Sequence, residues 1–370
     1  MAEIKPRNQA LDVLRIAATV LVPLTHVLNK NYTASDGSMR EAVAMLNSLC
    51  IIAVPCFFMI TGYFTHIGQS YIKKLKRTAV SILLPTLLAV VVYQALWAWV
   101  TGTATLKESV LGADYRQMWR EITLWNIKSL PGCTVFWYIT DYVRLMLLFP
   151  VTALMCTDTP SAKRARWAVI GLVLASYLLK DVQQFAAFEG KLYEPFDRTV
   201  VYFLIGYELK TIRWNKVSGK VLLLLSAVSI GAMYVLTKLL YYSAGSFSDY
   251  FFHYTTSVCV VASASVFALT LKANDKGLFQ RKSRIRNVLS DASFYVYLVH
   301  NIVLHGMLKR TWLGRQTAFG WLLVQWIVVV CLSFAMAIAI RRLQKWLGNI
   351  LRPAKPDKGE KQRNVCKTEL

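Results

Sequence analysis

The sequence predicts an all-α, polytopic membrane protein: a helix bundle of about ten transmembrane helices with its N- and C-termini in the cytoplasm. Three observations predict this class. The 370 residues are 55% hydrophobic with a mean hydropathy of +0.41, more apolar material than a soluble core of this size can bury. The apolar residues fall in long runs, and Lys and Arg alternate in density between successive connections.

The apolar runs are long enough to approach the ~30 Å hydrocarbon layer of a bilayer. They lie at about 11–28, 45–65, 78–100, 135–155, 166–180, 198–210, 219–240, 253–272, 291–308 and 320–341. The fifth and sixth are shorter than the ~20 residues of a full crossing. Polar or charged residues flank both, and merging them would give an odd number of crossings.

The basic residues predict the orientation. With the N-terminus inside, the inner segments carry 28 of the 43 Lys and Arg residues, and the outer segments carry 12. Cytoplasmic loops of membrane proteins carry this excess. The net charge of +23 is therefore explained by topology and by the lipid bilayer, and we expect no nucleic-acid partner.

We expect one transmembrane domain over residues 1–350 and a basic, disordered cytoplasmic tail over 351–370, near anionic lipid. The first apolar run contains Arg15 and Pro23 and lacks a small-residue cleavage site, which argues against a removed signal peptide. The seven cysteines show no C-x-x-C spacing, so we interpret them as packing residues and expect no metal. The outer loop 101–133 suits either interfacial anchoring or a lid.

The first helix carries two ionisable residues, Arg15 and His26, in a segment that must otherwise live in hydrocarbon. Eleven residues at about 100° each bring the helix back to within ~20° of its starting direction. The two side chains therefore lie on the same face of the helix, about 16 Å from each other along the axis. Asp12 and Thr19 lie near the same stripe. The alternative for His26 is an interfacial histidine near the outer end of the helix.

A basic run precedes the third helix and contains Lys73, Lys74, Lys76 and Arg77. Clustered cations at a helix N-terminus form a suitable anion site, and the Lys74-x-x-Arg77 spacing places both side chains on adjacent turns. The alternative is ordinary positive-inside charge.

Three other segments carry polar or aromatic candidates. In the ninth helix, Tyr297 and His300 are neighbours and His305 lies further toward the outer end, so one of them could bind the acceptor or orient His26. The alternative is that they form hydrogen bonds that hold the helices together. In the fourth helix, Asp141 and Arg144 are spaced to form a buried structural ion pair, and Trp137 belongs to an aromatic start. The aromatic segment 241–254 fits an interfacial belt or a surface that stacks on sugar rings.

Taken in chain order, six segments resemble the acyltransferase 3 family of integral membrane acyltransferases, especially its branch of bacterial surface-polysaccharide O-acetyltransferases like the one that modifies enterobacterial common antigen. They are LDVLRIAATVLVPLTH, VPCFFMITGYF, KKLKR, VFWYITDYVRLMLLFP, VVYFLIGYEL and SFYVYLVHNIVLH. The resemblance implies a ten-helix fold in the bacterial plasma (inner) membrane, acetyl-CoA or another acyl-CoA as co-substrate with no permanently bound cofactor, and a glycan or lipid-linked sugar as acceptor.

The family's Arg-x10-His signature falls on Arg15 and His26. Its cytoplasmic Arg-x-x-Arg motif falls on Lys74-x-x-Arg77 or, less well, on Lys73-x-x-Lys76. A lysine thus replaces the first arginine and loses the planar fork for bidentate phosphate contact.

The resemblance implies that His26 works at the reacting carbonyl with Arg15 beside the donor. We expect Lys73, Lys74, Lys76 and Arg77 to bind the donor, and the remaining candidates to shape the site or bind the acceptor; these are Asp12, Trp137, Asp141, Arg144, Tyr297, His300 and His305. Imidazole, with an ordinary pKa near 6.5, suits the removal of a hydroxyl proton during attack on a thioester. It equally suits a covalent acyl carrier.

Two rival functions fit the same composition. A transporter or flippase of a polar lipid-linked sugar also needs many helices and intramembrane ions, although no paired inverted repeats are visible in the sequence. The second rival function is that of a membrane sensor or scaffold without catalytic turnover. Binding or hydrolysis of acetyl-CoA by the purified protein would separate these functions.

Overall fold

The computed structural model describes residues 7–32, 37–66, 70–186, 196–244, 248–281 and 283–350, and within these every regular element is helical. The all-α prediction is therefore confirmed. The predicted tail, 351–370, lies outside the described residues. The helices are α1 Gln9–Tyr32, α2 Gly37–Cys50, α3 Ala53–Tyr63, α4 Tyr71–Thr78, α5 Leu84–Val100, α6 Leu106–Leu111, α7 Tyr115–Thr123, α8 Trp137–Leu147, α9 Phe149–Met155, α10 Pro160–Gln183, α11 Arg198–Leu209, α12 Gly219–Ala244, α13 Ser257–Asp275, α14 Arg284–Arg310 and α15 Phe319–Ile350.

Fewer stretches than ten are long and apolar enough to cross a membrane. In the described part of the chain there are six, namely Gln9–Asn29, Met39–Tyr63, Tyr71–Val100, Gly219–Ser243, Tyr250–Asp275 and Phe319–Trp346. A seventh results if α8 and α9, which meet at 66°, count as one broken span. The other three predicted runs do form helices, but α11 has only 12 residues, and α10 and α14 carry charged or polar side chains within their length.

Two predicted runs differ from the structure, one in its boundary and one in a bend. The third run begins at Tyr71 instead of residue 78, because the basic helix α4 continues through a π turn, Ala79–Leu83, directly into α5. The fourth run bends because Pro150, which has no backbone N–H to donate, sits in the first turn of α9.

The first and last described segments of the chain meet at the same end of the bundle. Asp291, near the start of α14, pairs with Arg7 at 3.0 Å and with Arg341, in the last part of α15, at 2.7 Å. We call this the near end, defined by these three residues. Tyr63 at the end of α3 joins it through a 3.3 Å hydrogen bond from Asn8.

The opposite, far end is defined by Arg310, whose guanidinium donates to the carbonyl of Trp99 at the end of α5. The helices differ in how far they extend toward the far end. α14 rises about 40 Å over its 27 residues, whereas α11 rises only about 18 Å over 12.

The helices α3 and α11 cross at backbone contact. A Cβ built on Gly62 would lie 1.9 Å from the carbonyl oxygen of Phe203, and one on Gly206 would lie 2.1 Å from that of Met59. Only glycine permits this distance, as in other close helix crossings of membrane proteins. The crossing fixes the central cluster of buried side chains, which includes Phe58, Met59, Phe203 and Tyr207.

Candidate active site

One cavity runs through the middle of the bundle, between α1, α3, α8 and α14. Its volume is about 230 Å³, far more than the ~15 Å³ that one ordered water requires. Both Arg15 and His26 lie on its wall. Its other lining residues include Thr61 of α3, Trp137, Tyr138 and Tyr142 of α8, Tyr254, and Ser293 and Tyr297 of α14.

At the near end of the cavity, Arg15 is held by two neighbours. Its Nη1 donates to Ser290 Oγ at 3.0 Å and lies 3.2 Å from Asp12 Oδ1, and the Ser290 hydroxyl donates to the same Asp12 oxygen at 2.6 Å. Asp12 is buried and also pairs with Arg7. The predicted candidate Asp12 is therefore an anchor for Arg15, and the rest of the guanidinium is left to the cavity.

Further along α1, His26 meets His300. The two ring centroids are 5.3 Å apart at an interplanar angle of 30°. His300 is fully buried, and its Nδ1 lies 2.7 Å from the carbonyl oxygen of Tyr297. A carbonyl can only accept, so Nδ1 carries the proton and Nε2 keeps its lone pair.

That Nε2 is a buried polar atom without a hydrogen-bond partner among the described residues. An unpaired buried acceptor costs stability, and such groups in native structures call for a functional explanation. A void of about 10 Å³ adjoins His300 and is also lined by Thr19 and Tyr297.

The third histidine of the region is placed differently. His305 stacks on Trp97 at 4.7 Å, and its Nδ1 lies 2.9 Å from the carbonyl oxygen of Asn301. It is not among the residues that line the cavity. The structure therefore brings His26 and His300 together and leaves His305 packed against α5.

Tyr297 contributes its ring to the cavity wall. Its hydroxyl donates to the carbonyl of Val135, just before α8, so that hydroxyl is already engaged. The ring lies edge-on to Tyr138 at 5.5 Å. The contact locks α8 against α14 and gives the cavity a rigid aromatic side.

The predicted ion pair of α8 has a further partner. Asp141 is buried and accepts from Arg198 Nη2 at 2.9 Å, whereas Arg144, at 3.2 Å, has a side chain 56% exposed. The predicted Asp141–Arg144 pair is thus formed, with a buried carboxylate and an exposed arginine. The second partner is Arg198, from the start of α11, and its guanidinium lies over the ring of Trp137 at 4.8 Å.

The basic residues of α4 divide into two groups. Lys73, Lys76 and Arg77 are exposed, whereas the ammonium of Lys74 lies 3.2 Å from the ring centroid of Phe149. Lys74 and Arg77 therefore do not form a matched free pair. None of the four lines the cavity, but Ile82, in the π turn that follows α4, does.

Sequence reasoning missed Ser290, Arg198 and Tyr254. Nothing in the sequence distinguishes Ser290 from the other serines of the helices. Arg198 begins the sixth apolar run, and nothing in its sequence context indicates its pairing with Asp141 of α8. Among the described residues, no group of three or more His, Cys, Asp or Glu is arranged to hold a metal ion.

Comparison with protein families gives one match, and comparisons with curated proteins and with solved structures give none. The matching family model is described as an acyltransferase domain, and it covers residues 8–342. The matched region contains the whole cavity, the basic helix α4 and all the candidate residues named above. This multi-pass membrane chain therefore belongs to the acyltransferase 3 family.

Proposed function

We propose that the protein is a membrane O-acyltransferase of the bacterial inner membrane. It moves an acyl group, most simply acetyl, from acyl-CoA to a hydroxyl of a cell-surface polysaccharide or lipid-linked sugar. The single observation that carries the proposal is that Arg15 and His26 line one cavity in a chain of an acyltransferase family. A cation at the near end and an imidazole deeper in the bundle are what an anionic, long-armed donor requires.

The donor enters from the near end, which the distribution of Lys and Arg assigns to the cytoplasm. Arg15, fixed by Asp12 and Ser290, faces an anionic part of the donor. The exposed Lys73, Lys76 and Arg77 lie outside the cavity and suit the phosphates of CoA at the membrane surface.

Chemistry takes place at His26. Its imidazole removes the proton of the acceptor hydroxyl as that oxygen attacks the thioester carbonyl; the C–S bond breaks, and the CoA thiolate leaves and takes the proton. In the covalent variant the imidazole nitrogen attacks the thioester carbonyl, the C–S bond breaks and the CoA thiolate leaves; the acceptor oxygen then attacks the acyl group, the C–N bond breaks, and solvent takes the hydroxyl proton. In both variants His300, whose Nε2 lone pair is unused, can stabilise the imidazolium formed on its neighbour.

The test uses the full chain in nanodiscs with acetyl-CoA and a mixture of neutral methyl glycosides as acceptors, and the release of free CoA thiol is followed with a thiol reagent. Thiol release from the wild-type protein is expected, and His26→Ala should reduce it about 100-fold or more, the usual size of a lost general base. His253→Ala is the matched control, because His253 is exposed and pairs only with Asp249 in the described structure. Equal rates in the His26 variant and the wild type would remove His26 from the mechanism, and a wild-type protein without thiol release would exclude the enzyme.

A further inference from the structure

The start of α11 lies at the depth of His26. Lys210, just after α11, donates to the carbonyl of Thr65 at 2.9 Å and so fixes that end of the helix near Tyr63 and the near end. Arg198, at the other end of α11, then lies about 18 Å from there, while His26 lies about 21 Å along α1 from Asp12. A molecule that enters from the far side therefore meets Arg198 at the level of the candidate catalytic imidazole.

Two aromatic rings accompany Arg198. Trp137 and Tyr254 both line the cavity, and their rings are stacked with centroids 5.3 Å apart at 28°. The Arg198 guanidinium lies 4.8 Å from the indole and 5.8 Å from the Tyr254 ring. Groups on opposite faces of the Trp137 indole would be separated by roughly twice the 5.8 Å between Arg198 and the Tyr254 ring. Arg198 and Tyr254 therefore do not enclose the indole between them, and part of it faces the cavity.

The cluster is rigidly supported. Tyr202, which is buried, donates to the carbonyl of Tyr254 at 2.7 Å. Asp181 accepts from the backbone N–H of Ser257 at 2.8 Å and fixes the start of α13, three residues further on. Such support holds a binding surface in one geometry and reduces the entropy lost on binding.

The charges of the cluster are balanced. Asp141 holds Arg198 through one guanidinium nitrogen and lies 3.2 Å from Arg144, and Asp197 lies beside Arg198 at the cap of α11, so two arginines accompany two carboxylates. In the described structure no other hydrogen bond of Arg198 is formed, so its Nε and Nη1 still offer donors to a ligand. A surface with an apolar ring face, spare donors and no net charge suits an uncharged polyhydroxylated ring better than an anion.

We infer that Trp137, Tyr254, Arg198 and Asp141 form the subsite that binds an uncharged pyranose ring of the acceptor, with its reactive hydroxyl toward His26. The C–H face of the ring packs on the indole, while Arg198 and Asp141 bond to its hydroxyl groups. This subsite rests on the proposed function for its role as the acceptor site, although the binding of the sugar can be measured without turnover.

Saturation-transfer NMR on the full chain in nanodiscs tests the subsite. The probes are methyl glycosides of glucose, galactose, mannose and their N-acetylamino forms, with D-glucuronate as the charged comparison. At least one neutral glycoside should receive saturation on the protons of one ring face, and D-glucuronate should bind no more tightly. Trp137→Ala should weaken the neutral glycoside roughly 2- to 10-fold, as expected for loss of an aromatic contact.

Arg198→Gln is the second variant, because it keeps the aromatic surface and removes the charged donors; it should weaken the same glycoside several-fold. Trp119→Ala, at an exposed tryptophan of α7, is the matched control and should leave binding unchanged. Gel filtration verifies that each variant is folded.

The outcomes separate the subsite from the function. Wild-type protein that binds no neutral glycoside, or folded Trp137 and Arg198 variants with unchanged binding, would overturn the subsite. Loss of glycoside binding in those variants, together with wild-type protein that releases no thiol from acetyl-CoA, would leave the sugar site standing and overturn the proposed function.

Discussion

His300 shows how a backbone carbonyl can set the chemistry of a buried side chain. The bond from Nδ1 to the carbonyl of Tyr297 fixes the proton on one nitrogen and leaves a lone pair on the other, beside His26. A neighbouring imidazole of fixed tautomer is a typical means of orienting a catalytic histidine. We therefore regard His300 as a positioning residue for His26.

Replacing His300 by Phe keeps a planar ring and removes both nitrogens. If the role is positioning, kcat should fall by roughly 10- to 100-fold while KM for acetyl-CoA stays within about twofold. Steady-state thiol release at several acetyl-CoA concentrations measures both. A rise in KM at constant kcat would place His300 in donor binding instead.

Ser290 tests the anchoring of Arg15. Ser290→Ala removes one hydrogen bond to Arg15 and one to Asp12, so about 1 kcal/mol of donor binding is at stake. KM for acetyl-CoA should rise about fivefold with kcat nearly unchanged. Ser229→Ala is the matched control, because the described hydroxyl of Ser229 bonds only within its own helix, to the Leu225 carbonyl. Equal KM values in the two variants would contradict the role.

At the scale of elements, the crossing of α3 and α11 decides where the short helix sits. Its two glycines bring backbones together, and the depth of Arg198 follows from that contact and from the 12-residue length of α11. The crossing thus connects a packing detail to the position of the inferred sugar site.

Gly206→Ala should therefore destabilise the protein, because its Cβ would lie 2.1 Å from the carbonyl oxygen of Met59 and the helices must separate. We expect a loss of about 2 to 3 kcal/mol in the free energy of unfolding. A thiol-reactive dye that reports exposure of the buried cysteines during heating measures the change. Gly231→Ala on α12, where a Cβ meets nothing within 4 Å, is the control and should leave the melting temperature unchanged or slightly higher.

The sequence located most of the elements, since long apolar runs must become helices when no water is available to their backbone. Three features could not be predicted. The π turn after α4 and the bend before Pro150 depend on local backbone geometry, and the depth of α11 depends on a contact with a distant glycine. For the site, the helix period alone placed Arg15 and His26 on one face, whereas Tyr254 reaches the cavity, and Arg198 reaches Trp137 beside it, only through tertiary packing.

At the scale of the molecule, Arg7 before the first described helix and Arg341 of the last one lie at one end, which agrees with an even number of crossings. The ion pairs of Asp291 with Arg7 and Arg341 hold the first and last helices together at the near end. The number of crossings then depends on α10, α11, α14 and the bent pair α8–α9, and of these α10 has 24 residues that rise about 36 Å.

Single cysteines on both sides of α10 test this in intact cells. Lys163→Cys and Phe185→Cys are at exposed positions, and the background lacks Cys331 and Cys366. A membrane-impermeant maleimide should label Phe185→Cys but reach Lys163→Cys only after permeabilisation, because ten crossings place them on opposite sides. Arg116→Cys and Lys276→Cys provide the outer and inner references. Labelling of both α10 positions from one side would reduce the number of crossings.

The distance between Arg15 and His26 along α1 selects the acyl donor by its length. A donor whose anionic group binds Arg15 and whose carbonyl lies at His26 must join the two by a narrow chain of about 16 Å. In acetyl phosphate the carbonyl and the phosphate are linked through a single oxygen. This small mixed anhydride therefore cannot contact Arg15 and His26 at the same time. We expect it to be inert as a donor even at high concentration, and its turnover at rates similar to acetyl-CoA would show that length plays no part in the choice.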